Sequence, residues 1–392
     1  MISDLRVALF SGNYSYQRDG ANKALNKLVA YLERQGIPVL VFSPTVKSAP
    51  FEHDGTLVSA PSFAIPGRSE YRLGLPLNAK LKRDILAFAP SLIHLSAPDW
   101  LNHSALSFAE RENIPRVASF HTRFDTYLDH YGLGWLAGRC RDRMAAFYGR
   151  CDEVFVPCQS MADALREEGI LDGPTKRWGR GIDHGRFSRE YRDMDWRRAQ
   201  GFKDTDVVVS FVGRLVREKG LCHFADMMDQ LHSRGLPVKA LIVGDGPEKT
   251  TVAKRLPGAV MTGHVSGTDL SRAYASSDLF INPSLTETFG NVTLEAMASG
   301  VAAICAEATG SADLIEHNLN GLLVEKPNGT LLANAAARLI ESPDHREKLA
   351  YAGRQTSHHY DWDSVLAEVV EGYLDVVGLA ESDQRHRAPL AA

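Results

Sequence analysis

Apolar residues in this chain follow two alternating patterns. Short, continuous runs rich in β-branched residues recur through the first half at "RVALF" (6–10), "PVLVFSP" (38–44), "SLIHLS" (91–96), "RVASFH" (116–121) and "EVFVPC" (153–158). The second half repeats the pattern at "VVVSFVG" (207–213), "KALIVGDG" (239–246), "AVMTGH" (259–264), "DLFINPS" (278–284), "AAICAEA" (302–308) and "GLLVE" (321–325). Runs this short, apolar on both faces, predict buried strands. Between them lie amphipathic stretches such as "ANKALNKLVAYLERQG" (21–36) and "LCHFADMMDQLHSRG" (221–235), each closed by a glycine that ends a helix. Strand–helix alternation builds a parallel sheet covered by helices, so two such series predict an α/β protein of two doubly wound, Rossmann-like domains.

The break between the series falls in "GIDHGRFSREYRDMDWRRAQGF" (181–202), which is polar and has no strand pattern. The expected division is 1–185 and 186–365, with 366–392 as a terminal helix whose last stretch, "ESDQRHRAPLAA" (381–392), reads as a disordered tail. Ligands of doubly wound sheets bind at the carboxyl ends of the strands, so two such domains are expected to face each other across a cleft. A length of 392 residues suits two domains rather than one core.

Composition adds little to this picture but excludes several classes. The chain is 44% hydrophobic and 23% charged, as soluble proteins are. No apolar run reaches the roughly 18–20 residues of a membrane span. "MISDLRVALFSG" is too short and strand-like for a signal peptide and has no basic leader. The five cysteines, Cys140, Cys151, Cys158, Cys222 and Cys305, form no C-x-x-C pair, which fits reduced thiols in a cytoplasmic protein. The net charge of −4 is uneven: residues 1–190 hold 24 Lys and Arg against 21 Asp and Glu, leaving 20 against 27 for the rest. A more basic N-terminal half is what phosphate or an anionic membrane surface would select.

Candidate chemistry lies mainly in the second half. In "NPSLTETFGNVTLEAMASG" (282–300), Glu287 sits in a turn and Glu295 on a helix expected to start near Gly290. The backbone N–H groups of Thr288, Phe289, Gly290 and Asn291 would then form an anion site between two carboxylates. The pair could accept hydroxyls of a sugar and of a ribose, with phosphate between them; a capping glutamate and an ordinary surface glutamate are the plainer alternative. "FVGRLVREKGL" (211–221) brings Arg214 and Lys219 out of a strand's carboxyl end, where two cations could neutralise a diphosphate. Several imitations fail. "DMD" (193–195) and "DWD" (361–363) resemble a metal-binding D-x-D but follow no strand, and His358-His359 lacks the spacing of a zinc site. No G-x-G-x-x-G follows the first strand and no G-x-S-x-G occurs.

With "GRLVREKG", "VGDGPE" (243–248), "TGHVSG" (262–267) and "ETFGNVTLEAMASG" in this order, the chain strongly resembles the retaining GT-B glycosyltransferases of family 4. "SGNYSYQRDGAN" (11–22) and "SFHTRFDTYLDHYGLGW" (119–135) resemble, more loosely, the N-terminal half of the sulfoquinovosyl-, glucosyl- and mannosyltransferases that act on lipid acceptors. The resemblance implies an acceptor-side N-terminal domain and a C-terminal domain that binds a nucleotide sugar. Arg214 and Lys219 would hold the diphosphate and Glu295 the ribose. Glu287 would hold the donor sugar, helped by Phe289, Gly290 and Asn291. His264 and Val265 would read the base through backbone, Gly20 would close on the phosphates, and His121 would sit near the anomeric carbon. The chain carries Asp19-Gly20 where many relatives have Gly-Gly, which leaves Asp19 open to the acceptor.

The implied activity is a metal-independent hexosyltransferase needing no cofactor, moving a hexose or uronate from a UDP- or GDP-linked donor to a hydroxyl of a membrane lipid such as diacylglycerol or a lipid-linked glycan. A GDP-mannose-dependent α-mannosyltransferase and a non-catalytic nucleotide-binding protein on the same fold are the alternatives. Nucleic acid is not an expected partner. In "WLAGRCRDRMAAFYGRC" (135–151), an apolar stripe of Leu136, Cys140, Met144, Phe147 and Cys151 lies beside a face bearing Arg139, Arg143 and Arg150. It reads either as a core-packed helix with a wet face or as peripheral contact with the inner face of the cytoplasmic membrane.

Overall fold

A computed structural model describes residues 4–16, 20–49, 51–65, 68–121, 123 and 134–387, without the side chains of 65, 68–71 and 381–387. Two compact units emerge: residues 1–179 with 363–392, and residues 180–362.

The N-terminal unit is built on a parallel sheet in the order β3-β2-β1-β6-β7-β8-β9. Its strands are β1 (Val7–Phe10), β2 (Val39–Ser43), β3 (Thr56–Ser59), β6 (Leu92–Leu95), β7 (Arg116–Ser119), β8 (Glu153–Val156) and β9 (Thr175–Arg177). Beside it β4 (Ser62–Ile65) and β5 (Arg68–Gly74) form an antiparallel hairpin. The unit around 180–362 carries a second parallel sheet, β12-β11-β10-β13-β14-β15. These strands are β10 (Val207–Val212), β11 (Val238–Val243), β12 (Val260–Gly263), β13 (Leu279–Asn282), β14 (Ala302–Ala306) and β15 (Leu322–Val324). All the apolar runs of the sequence became strands, because central strands covered on both faces exclude polar residues. The runs that gave no signal are the edge strands β3 and β9 and the hairpin. The side chains of β3 and β9 are half-buried or exposed, and edge strands are kept short and polar against unwanted pairing.

Helices cover both faces of each sheet. In the second unit one apolar cluster gathers Phe211, Phe224, Met228 and Leu332, and another, on the opposite face, gathers Phe280, Leu294, Met297 and Phe289. The segment 181–202 is not a loose linker. Asp193, of the "DMD" imitation, caps the helix Met194–Ala199 by accepting from the Trp196 N–H, and Arg192 and Arg197 both reach Asp278 just before β13. Arg197 is 1% exposed and also donates to the backbone oxygens of Ser276 and Asp206.

The C-terminal helix, Trp362–Arg387, returns to the N-terminal unit. It stays helical through Arg387, into the stretch expected to be disordered, and residues 388–392 lie outside the described ones. Tyr373 on this helix is fully buried and shares a hydrogen bond with Nδ1 of the equally buried His94 on β6. Gly372 makes this approach possible, since a Cβ there would come within 2.7 Å of Phe155. Trp178 closes the cluster, its ring 5.5 Å from that of His94 and edge-on to it.

Candidate active site

The residues singled out in the second half lie in the turns that follow β10, β12 and β13 and on the helix after the last of these. Backbone hydrogen bonds lace the loops together. Gly213 N–H donates to Val243 O (3.0 Å), Leu215 N–H to Asp245 O (2.9 Å), Glu248 N–H to Leu215 O (2.9 Å) and Gly244 N–H to Gly263 O (2.8 Å). The glycines of "VGDGPE" follow from this lacing. Gly244 adopts φ +140°, and a Cβ on it would lie 1.9 Å from Gly213 O. No side chain fits there, and no other residue favours that backbone conformation.

Arg214 leaves this laced loop as an exposed side chain whose guanidinium is 4.0 Å from Glu218. Lys219 ends the short 3₁₀ turn Arg217–Lys219 and points the other way, toward β13. Its Nζ lies 2.6 Å from Oε1 of Glu287, and the side chains are only 20% and 12% exposed. Gly220, at φ +71°, lets the turn pass close to Pro283, whose oxygen would be 2.9 Å from a Cβ. Sheet order brings the two turns together: β10 and β13 are hydrogen-bonded neighbours although they lie far apart in sequence.

After Glu287 the chain turns into the helix Asn291–Ala298. Gly290 caps it at φ +92° with no side-chain cap bond, and its carbonyl accepts from the Thr293 and Leu294 N–H groups. The helix end that follows Glu287 thus has no side-chain cap on its first N–H groups, where the helix dipole is positive. Phe289 is buried in the core against Tyr360, and Asn291 begins the helix half-buried. The turn is held from outside as well, because Thr309 Oγ1 donates to Glu287 O (3.0 Å).

Glu295 lies one turn into the helix, and its Oε2 accepts from the hydroxyl of Tyr274 (3.0 Å). Tyr274 is fully buried. Burial first, then the charge of Glu295, the hydrogen bond to it and the charge of Glu287 hold the phenol well above its ordinary pKa. Tyr274 therefore remains a donor, and both carboxylates act on it. Sequence reasoning missed this residue; "SRAYASSD" offers only one aromatic among small residues. His264 is exposed on the turn after β12, and Val265 is half-buried against the adjacent core.

Two predicted site residues belong to the N-terminal unit. Gly20 is the exposed first residue of the helix Gly20–Arg34, while Asp19 lies outside the described residues. His121, half-buried just past β7, packs edge-on against Trp178 with ring centres 5.0 Å apart. Most of the "HTRFDTYLDHYGLGW" stretch is outside the described residues. The helix Ala137–Tyr148 turns its Met144 and Phe147 into the core, with Cys140 and Cys151 packed against it. Arg150 does not belong to a free basic face: its guanidinium grips both carboxylate oxygens of Glu110 (2.5 and 3.0 Å). Arg139 and Arg143 remain exposed. No described helix is long and apolar enough to cross a membrane. Among the described residues no cluster of His, Cys, Asp and Glu is disposed to hold a metal ion.

Known proteins resemble this chain in sequence and in fold. Residues 18–186 match the family Glycosyltransferase Family 4, and residues 193–356 match Glycosyl transferases group 1. The chain is 31% identical over 382 residues to the GDP-mannose-dependent alpha-mannosyltransferase of Mycobacterium tuberculosis, covering 95% of this chain and 97% of that one. It is 30% identical to the sulfoquinovosyl transferase SQD2 of Arabidopsis thaliana over 93% of this chain and 72% of that one. Among solved structures, sucrose-phosphate synthase from Thermosynechococcus elongatus superposes with a TM-score of 0.77 at 19% identity, covering 96% of this chain and all of that one. Fold and sequence together define a glycosyltransferase of the GT-B architecture. The chain belongs to the group 1, family 4 glycosyltransferases.

Proposed function

We propose that this protein is a retaining hexosyltransferase that takes a hexose or uronate from a nucleoside diphosphate and delivers it to a hydroxyl on a membrane lipid or lipid-linked glycan. The observation that carries the reading is the contact of Lys219 with Glu287 beside the Gly290-capped helix end, with Glu295 one turn further on. A diphosphate placed there meets a cation, Arg214 nearby and helix N–H groups, while a carboxylate on each side accepts hydroxyls of sugar and ribose. We assign the diphosphate to Arg214 and Lys219, the ribose to Glu295, the sugar to Glu287, Phe289, Gly290 and Asn291, and the base to the backbone at His264 and Val265. From the N-terminal unit, Gly20 is assigned to the donor phosphates and His121 to the anomeric centre.

In this reading catalysis comes from positioned charge. As the bond from anomeric carbon to phosphate oxygen breaks, negative charge grows on the leaving diphosphate, and cations fixed in advance stabilise it most. The acceptor oxygen bonds to the same face and its proton leaves with the diphosphate. Side-chain cations make a metal unnecessary, so EDTA should leave turnover intact.

The donor is UDP- or GDP-linked. The mycobacterial relatives favour GDP-mannose, since that donor is in their names, while the Arabidopsis one favours a sulfoquinovosyl donor. A calorimetric panel of UDP, GDP and ADP separates them, and NMR of the product's anomeric proton tests retention. Tight nucleotide binding without transfer or hydrolysis of any nucleotide sugar would reject the enzymatic reading in favour of a binding protein.

A further inference from the structure

In the N-terminal sheet β1 and β6 are neighbours, but the chain continues from them to opposite sides, β1 toward β2 and β6 toward β7. Such a switch point opens a crevice at the carboxyl ends of the strands. Gly12 follows β1 there and Asp99 follows β6. Asp99 Oδ1 accepts from the backbone and side chain of Asn102, both at 2.8 Å, and so caps the helix Trp100–Glu112. Its second oxygen is turned toward Gly12, where the absent side chain leaves it room; a Cβ on Gly12 would stand 2.5 Å from Oδ2. Burial pushes the Asp99 carboxyl up, against the pull of its bonds to Asn102, so it is a poorly solvated carboxylate that gains from a hydroxyl donor.

A cavity of about 470 Å³ adjoins Asp99. Pro98, Leu136, Cys140 and Met144 supply apolar lining, and Arg139 and Arg143 line it too. Neither arginine has an ion-pair partner among the described residues, unlike Arg150 just past the end of their helix. Large apolar side chains adjoining lining residues in sequence are exposed: Trp135, before Leu136, is 72% accessible, and Trp100, after Asp99, is 53% accessible with its ring 6.4 Å from that of Phe63. Carboxylate, paired guanidinium groups and apolar wall within one cavity match a hydroxyl, a phosphate and an acyl chain on one molecule.

We propose that this crevice is the acceptor subsite and that its occupant is a phospholipid with a free hydroxyl: Asp99 accepts the hydroxyl's hydrogen bond, Arg139 and Arg143 hold the phosphate, and the apolar walls take the start of the chain. The proposal rests on the lipid-directed transfer argued above and names the acceptor's chemistry. Asp99 binds and orients the hydroxyl. The hydroxyl oxygen forms the new bond to the sugar carbon while the bond to the diphosphate breaks, and the proton departs with the diphosphate.

Three probes below their micelle concentrations test it by calorimetry on the full chain: dodecanoyl lysophosphatidylglycerol, dodecyl phosphate without a hydroxyl, and glycerol 3-phosphate without a chain. The first is expected to bind best and the third worst. Arg139→Ala with Arg143→Ala should weaken the first two by tenfold or more, as loss of charge-assisted bonds does. Asp99→Asn keeps the cap, because Asn caps as well as Asp. It should weaken the lysophospholipid about tenfold and spare dodecyl phosphate, at unchanged melting temperature; Gly12→Ala should act likewise by displacing Oδ2. Glycerol 3-phosphate binding as tightly as the lysophospholipid, or indifference of the lysophospholipid to Asp99→Asn or to the double arginine change, overturns the proposal. Nucleotide-sugar transfer with no lysophospholipid binding sinks the crevice alone, whereas lysophospholipid binding of the stated pattern with no nucleotide binding sinks the transferase reading and leaves the crevice standing.

Discussion

The Lys219 ammonium lies 2.6 Å from the Glu287 carboxylate, across 68 residues of sequence. Neither side chain is much exposed, so each charge depends on the other to offset lost hydration. Under the proposed function, a donor entering this place would offer both groups a better match, phosphate for the ammonium and sugar hydroxyls for the carboxylate. The ion pair fixes the two side chains against each other.

Lys219→Ala and Arg214→Ala should each lower turnover by about 10²–10³, the usual cost of removing one positioned donor from developing charge. Lys219→Ala also strands Glu287, so its melting temperature should fall, whereas exposed Arg214 can be removed without that loss. Steady-state kinetics and thermal melts on both variants decide the matter; wild-type turnover in either removes that residue from the diphosphate.

The two glutamates should separate by ligand. If Glu295 binds ribose, Glu295→Gln weakens free nucleotide as much as the intact donor, by about 1.5–3 kcal/mol, or roughly tenfold to over a hundredfold. Tyr274→Phe, which deletes the hydroxyl bonded to Glu295, should weaken nucleotide in the same direction by a smaller factor. Glu287→Gln should leave nucleotide affinity unchanged while turnover collapses, because the free nucleotide has no sugar to hold. Calorimetry with nucleotide alone reads all three, and equal losses in the two glutamate variants would end this division of labour.

Stability should fall as solutions become mildly acidic. Burial lowers the His94 pKa to about 3, against an ordinary value near 6.5. Between these values the unfolded chain binds a proton that the folded one refuses, so this contribution is intact above about 6.5 and is lost progressively toward 3. At pH 5 the loss from this group approaches about 2 kcal/mol. Melting curves from pH 7.5 to 4.5 should show the decline, and His94→Gln should flatten it. An unchanged slope in that variant would place the dependence elsewhere.

Asp278 should matter more than its place at a strand edge suggests. Burial works to raise its pKa, but Arg192, the Val208 N–H and Arg197 outweigh it and hold the carboxyl below the usual range. Arg197→Ala leaves a buried carboxylate short of its partner, and Asp278→Asn leaves a buried guanidinium, so each should cost about 3–5 kcal/mol in chemical denaturation. Losses below 1 kcal/mol would mean that solvent reaches the pair.

What the sequence determined by itself was whatever depends on near neighbours along the chain. Strands buried on both faces must be apolar throughout, so the central strands could be read directly, as could Glu287 in its turn and Glu295 on the helix after Gly290. What depends on distant segments left no such trace. The bond from Tyr274 to Glu295 requires two helices to pack, and Lys219 meets Glu287 only because β10 and β13 lie side by side in the sheet. The return of Trp362–Arg387 to the first unit joins His94 to Tyr373 over 279 residues. Burial of a tyrosine or a histidine gives no periodic signal, and an arginine in a polar segment reads the same whether it faces water or Asp278. Only the tertiary structure decided those partners, because side-chain pairing is set by which surfaces the folded chain brings together.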